Sequence, residues 1–196
     1  MWVRSEYAGE LAVLSAWIAA VLPWSVAYQS SAPPEGQASV YFFRFAFFEI
    51  QFRRPWVFEV NGDVSVATEP LDITYAGTNL FGDVYATSPP TSTMFYGGTM
   101  GQASLLWTVA ALVFAVAFVL SLALYLREED VADRLPVSEI HLMGALLAVG
   151  ALGTGAASAL YLTARDSTGL SVPVGVVVVG LLAVVLLRTE KIESNG

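Results

Sequence analysis

The chain of 196 residues has no cysteine, a single histidine, His141, and a single lysine, Lys191. Without cysteine there is no disulfide, thiolate nucleophile, iron–sulfur cluster or cysteine-ligated zinc, and one imidazole falls short of the several ligands a metal site needs. Neither a metal nor any other cofactor is expected. Charge is also scarce, at 13% of residues against about 25% in ordinary globular domains. The charge present is unbalanced, with 17 acids against 9 bases and a net charge of -8. A basic face for phosphate is therefore missing, and nucleic acid is excluded as a partner. The chain contains no G-x-S-x-G, no lysine-bearing glycine-rich phosphate loop and no H-E-x-x-H. No catalytic residue is expected, and the protein reads as a non-enzyme. An acid-rich, lysine-poor surface suits concentrated salt, which screens self-repulsion while the charge maintains solubility.

What the chain does have is apolar sequence: 56% hydrophobic residues and a mean hydropathy of +0.62. Four runs stand out, at 9–28, 101–126, 139–162 and 170–187. The last three each have about 18 or more residues without an internal charge, the signal for a membrane-spanning helix. The expected fold is a four-transmembrane α-helical bundle with an extracytoplasmic β-rich insertion between spans one and two. Its parts are 1–28, the N-terminus and first span; 29–99, the insertion; and 100–196, three further spans with short loops and a cytoplasmic tail. A signal peptide cleaved after Ala27 is the alternative for the first run, but Glu6 and Glu10 stand where positive charge belongs. Pro23 should kink or end that run. Thr99 and Gln102 have the spacing of a capping box, and Ser138 can cap the third span. The polar connector 127–136 makes spans two and three antiparallel neighbours. Arg4, Arg127, Arg134, Arg188 and Lys191 fall on one side of the spans, which places both termini in the cytoplasm and the protein in the cell membrane as a multi-pass protein.

Residues 29–99 differ in kind. Aromatic and β-branched residues crowd 40–60, "EIQFR" alternates polar and apolar, and Asn61-Gly62 between alternating runs signals a hairpin. The stretch 71–98 reads as two or three further short strands, giving four to six in all. Within "YFFRFAFFEIQF", 41–52, both faces of a strand from Val40 to Phe48 are apolar and need cover. A buried central strand is one reading. The other is a strip for the membrane interface or a partner, made of Phe42, Phe43, Arg44, Phe45, Phe47 and Phe48, with Trp56. Arg44 needs an acid or a headgroup phosphate as partner, and Glu49 is a candidate.

On the third span Gly150, Thr154 and Ser158 recur every four residues, as do Ala151, Gly155 and Ala159. Such small-residue rows let helices approach closely, within the bundle or against another subunit. Trp17, Trp24 and Trp107 read as packing or interface anchors. His141 reads as interfacial, Glu10 as the only acid near the membrane edge, and Glu128, Glu129, Asp130 and Asp133 as a solvated connector.

The segment "WVRSEYAGELAVLSAWIAAVLPW", 2–24, resembles the opening of a family of uncharacterised haloarchaeal multi-pass membrane proteins of unknown function. The resemblance implies a haloarchaeal cell membrane and supplies no activity, cofactor or site residue. The layout also looks like the claudin-type tetraspan arrangement, an analogy of fold only, since the paired cysteines of claudins are absent. The functional expectation is an accessory or assembly subunit of an envelope complex, acting by contact with the bilayer and with another membrane protein or itself. The alternative is a passive channel, transporter component or small-ligand sensor, with Gln102, Thr108, Thr154 and Ser158 as its polar stripe.

Overall fold

Two prolines set the lengths of two helices. A residue that precedes proline is driven from the helical region into extended backbone. In the computed structural model, which describes residues 3–5, 7–31, 37–60, 63–67, 75–127, 135, 137–164 and 169–191, Leu22 before Pro23 is extended (φ -80°, ψ 129°). Helix α1 therefore spans only Ala8–Val21, and the chain continues as strand β2, Ser25–Ser31. The same rule acts at Pro173: Val172 ends strand β8, Gly169–Val172, and helix α5 runs Val174–Leu187. Between these come β3, Gln37–Arg44; β4, Glu49–Val60; β5, Asp63–Ala67; β6, Thr78–Phe81; and β7, Val84–Thr87. Helices α2, Pro89–Phe95, α3, Gly98–Leu126, and α4, Glu139–Thr163, follow. Short strands β1, Val3–Ser5, and β9, Thr189–Lys191, complete the described elements.

The expected four-transmembrane bundle is thereby corrected. At 1.5 Å per residue, α1 and α5, with 14 residues each, are about 21 Å long, short of the roughly 30 Å hydrocarbon layer. Among the described residues only α3 and α4, of 29 and 25 residues with most apolar windows of mean hydropathy 2.7 and 1.7, are long and apolar enough to cross a membrane. Nor is the β structure an insertion between two spans. Its seven strands run in the order β6-β7-β4-β3-β2-β8, with β5 also on β4, and it draws β2 and β8 partly from the first and fourth apolar runs. Every pairing in it is antiparallel.

Further differences are local. The capping box does not form: α3 starts at Gly98 behind Gly97, with no side-chain cap. Ser138 does occupy the N-cap of α4, also without a side-chain bond. The stretch 89–95 is helical because Ser88 Oγ accepts from the Thr91 N–H and two prolines fill the first turn, where no amide donor is needed. Strands β4 and β5 pair with Val60 opposite Asp63; Asn61 and Gly62 themselves lie outside the described residues, as do Glu128, Glu129, Asp130 and Asp133.

Helices α1, α3, α4 and α5 share one core with Ala46 from the β3–β4 turn. The inward face of α1 is Ala8, Ala12, Ser15, Ala16 and Ala19, while Leu14 and Val21 face outward. Helix α4 lies between α3 and α5. A Cβ on Gly150 would be 2.5 Å from the Phe114 ring of α3, and one on Gly155 would be 3.3 Å from Val176 of α5. The contacts Gly150 with Phe114 and Ser104 with Tyr161 run in opposite senses along the chain, so α3 and α4 are antiparallel. The sheet caps one end of the helices. At the other, β1 and β9 form a parallel pair, with Arg4 opposite Glu190.

Candidate interaction surface and its buried polar support

Alternation along three adjacent strands divides the sheet into two unlike faces. Inward point Ser25, Ala27 and Gln29 of β2, Val40, Phe42 and Arg44 of β3, and Glu49, Gln51 and Arg53 of β4, all buried. The alternation in "EIQFR" is present with its sense inverted: the polar residues are inside, whereas Phe52 is 43% exposed.

The buried charges are held as a continuous network. Arg44 Nε lies 2.5 Å from Glu49 Oε2, an ion-pair contact and not a well-angled hydrogen bond. Its guanidinium sits 4.4 Å from the Tyr161 ring, 5.0 Å from Phe42 and 6.0 Å from Trp24, an aromatic enclosure that favours the delocalised cation. Gln51 Nε2 donates to Glu49 Oε1 and, at 2.8 Å, to the Ala76 carbonyl. Arg53 Nε donates to Gln51 Oε1 at 2.9 Å and its Nη2 to the Tyr75 carbonyl at 2.9 Å, with its guanidinium 3.8 Å from the Tyr85 ring. The Tyr96 hydroxyl accepts from the Ala76 N–H at 3.0 Å, tying the same segment to the start of α3. Charge is matched by charge or carbonyl at each step, the condition under which buried ions are tolerated. The network ties β3 and β4 to the 75–76 segment and so braces the sheet.

The aromatic strip divides in three. Phe42 and Arg44 face inward, while Tyr41 and Phe43 face outward. Phe45 to Phe48 form a tight turn closed by Phe45 N–H to the Phe48 carbonyl at 2.8 Å, with the two rings stacked at 4.6 Å. This turn enters the helices: Ala46 is buried in their core and Phe47 packs against it. Trp107 Nε1 donates to the carbonyls of Phe45 and Ala46 at 3.0 and 3.1 Å, and Trp24 Nε1 to that of Phe45 at 3.0 Å. The Trp56 side chain lies outside the described residues. On α4, Thr154 bonds its own helix through the Gly150 and Ala151 carbonyls, and Ser158 is buried. Gln102 is exposed, so the four residues of the suggested polar stripe do not share one face. His141 and Glu10 are exposed.

The outer face is where the sequence reading stopped short. Register places Leu170, Tyr28, Tyr41 and Phe52 side by side across β8, β2, β3 and β4. All four are exposed, at 68, 37, 38 and 43%, and the two tyrosine rings lie 4.8 Å apart. Nearer the helices runs the parallel row Val172, Val26, Phe43 and Ile50; farther away, the row turns polar with Ser30, Ser39 and Arg54. Period-two parity in 25–31 and 39–54 carries this signal, but only once 25–28 is read as strand and not as the end of a span.

No curated protein matches the chain. The sequence profile of one family matches residues 1–191, and the chain belongs to that family of unknown function, DUF7549.

Proposed function

We propose that this is a non-enzymatic integral membrane protein, carried in a cell membrane by the α3–α4 hairpin, that acts by protein contact through the outer face of its sheet. It serves as an accessory or assembly subunit of an envelope complex. The observation that carries the contact reading is the exposed row Leu170, Tyr28, Tyr41 and Phe52 on a braced sheet. Flat, rigid aromatic surfaces of this kind are enriched at protein interfaces. Support for the membrane comes from an inside-out distribution of side-chain size. Alanine and serine pack inward, Leu112, Val116 and Val119 stand 65, 56 and 65% exposed on α3, and only 28% of that helix's most apolar window is buried. Water penalises such a belt, whereas lipid accepts it and leaves small residues to bring helices together. The pairing of β1 with β9 places residues 3–5 and 189–191 together at one end of the helices. The acidic composition favours a haloarchaeal source.

The test is purification from the native membrane in high salt, with and without Tyr28→Ser/Tyr41→Ser/Phe52→Ser. A stoichiometric companion protein that the triple variant loses, while remaining in the membrane, supports the reading. A companion retained by the triple variant sinks it. A second reading, a platform resting in lipid headgroups, draws on the apolar, aromatic and polar rows that succeed one another away from the helices. Because the chain has no other thiol, Tyr41→Cys carrying an environment-sensitive dye separates the two: quenching by lipid-attached quenchers selects headgroups.

A further inference from the structure

Between Asp83 and Arg127 the sequence has no Asp, Glu, Lys, Arg or His. Helix α3 fills only the later part of this uncharged stretch; the earlier part is β7 and helix α2. At 1.5 Å per residue α3 is about 44 Å long, roughly 14 Å more than the hydrocarbon layer. Tyr125, near its end, is an exposed aromatic of the kind that settles at a membrane boundary. Counted back from there, the ~20 residues that cross the layer reach its other edge near Leu106, which leaves the first turns of α3 in the interfacial zone. Helix α2 is fastened beside those turns. A Cβ on Gly101 would lie 2.5 Å from the Tyr96 carbonyl oxygen, and the Thr93 and Thr108 hydroxyls are 3.0 Å apart, so α2 runs back along α3 in the opposite sense. Its inner side is Pro89 and Ser92, both buried, whereas Met94 is 90% exposed and Phe95 half exposed. At the same height on α3, Leu105 and Val109 are half exposed. Each of the first four positions of α2 is accounted for: 89 and 90 are proline, Ser88 Oγ accepts from the Thr91 N–H, and the Ser92 N–H donates to the Ser88 carbonyl at 2.9 Å.

From this placement we infer that α2 is an anchor in the membrane interface: Met94 and Phe95 enter the boundary between lipid headgroups and acyl chains, and so fix the depth at which the α3–α4 hairpin sits. The boundary layer takes up apolar and aromatic side chains and tolerates neutral hydroxyls, which is the composition of this helix. A helix whose first-turn donors are removed by proline or capped also loses little on leaving water. The apolar side chains of α2 continue the exposed belt of α3 at its upper edge, so one surface runs from the hydrocarbon into the headgroups. The inference rests on the reading that α3 and α4 cross a bilayer, and adds to it a contact made by a separate element.

The experiment uses the full chain, which has no cysteine of its own, with the single replacements Met94→Cys, Leu112→Cys and Phe81→Cys. All three positions are exposed, so the replacements leave the core untouched. Each variant is labelled with bimane and reconstituted in high salt into phosphatidylcholine vesicles whose lipids carry bromine either near the headgroup or near the end of the acyl chains. At position 94 the shallow quencher should remove more fluorescence than the deep one, and at 112, midway along α3, the order should reverse. At 81, on the turn of the β6–β7 hairpin, neither should act. A label at 94 that responds to neither quencher, while 112 responds to the deep one, overturns the inference and leaves the membrane reading standing. Stronger deep than shallow quenching at 94, or losses at 81 equal to those at 94, overturns it as well. A label at 112 that neither quencher reaches removes the membrane reading itself, and the anchor with it.

Discussion

Arg44 and Glu49 are the residues on which the junction between sheet and helices turns, since each is nearly fully buried and each neutralises the other. Removing one partner of such a pair leaves a bare charge inside, at a cost of about 3–5 kcal/mol, whereas replacing both by apolar groups is often neutral. Arg44→Met is therefore expected to lower the melting temperature sharply, and Arg44→Met/Glu49→Leu to recover most of the loss. A double variant as unstable as the single one would mean that the aromatic enclosure, and not the pairing, holds the arginine. Gly150 makes a different demand. A methyl group there would approach the Phe114 ring to 2.5 Å, an overpacking that costs about 1–3 kcal/mol. Gly150→Ala should be rescued by Phe114→Leu, which melting of the single and double variants checks.

Among the elements, the start of α5 passes close against the Pro23–Trp24 segment that follows α1. A Cβ on Gly175 would lie 2.5 Å from the Pro23 carbonyl oxygen and 2.6 Å from Trp24 Cα. Those are backbone atoms and cannot rotate away, unlike the Phe114 ring. Gly175→Ala is thus expected to destabilise more than Gly150→Ala, and comparison of the two melting curves tests the order. Elements with one dominant signal were legible in the sequence: α3 and α4 as long uncharged runs, and β4 with β5 as alternating segments about Asn-Gly. Elements in which local rules compete with hydropathy were not. Residues 25–28 and 170–172 are apolar enough for helix, yet the pre-proline restriction extends the backbone at Leu22 and Val172, and β2 and β8 then satisfy each other's hydrogen bonds. The brace was legible only in parity, because Glu49, Gln51 and Arg53 share a face in any strand, but nothing local says that this face is the buried one. The pairing of Arg44 with Glu49 was accessible as a candidate from proximity alone; of the three aromatic residues that enclose it, Trp24 and Tyr161 come from distant parts of the chain.

For the molecule as a whole, the medium around α3 is the decisive question, and Leu112 at its midpoint is the place to ask it. An exposed leucine exchanged for arginine in water usually changes stability by under about 0.5 kcal/mol, whereas at the centre of a bilayer the exchange costs about 2.5–3.5 kcal/mol in insertion. Leu112→Arg is expected to lower the fraction of protein that resists alkaline extraction from membranes, and an unchanged fraction would place this face in water. With 17 acids against 9 bases, the purified protein should also melt progressively higher as potassium chloride is raised from dilute to molar concentration. The strand pair β1–β9 bears on how this molecule is made. Val3 is made long before Thr189, so at roughly 5–20 residues per second the first strand waits on the order of ten seconds or longer for its partner. During synthesis α1 has no clasp at its start, and β2 lacks β8 until both long helices are complete. A ribosome stalled before residue 169 would hold helices already made but both closures open, a window in which an insertion factor or assembly partner meets the chain before it locks.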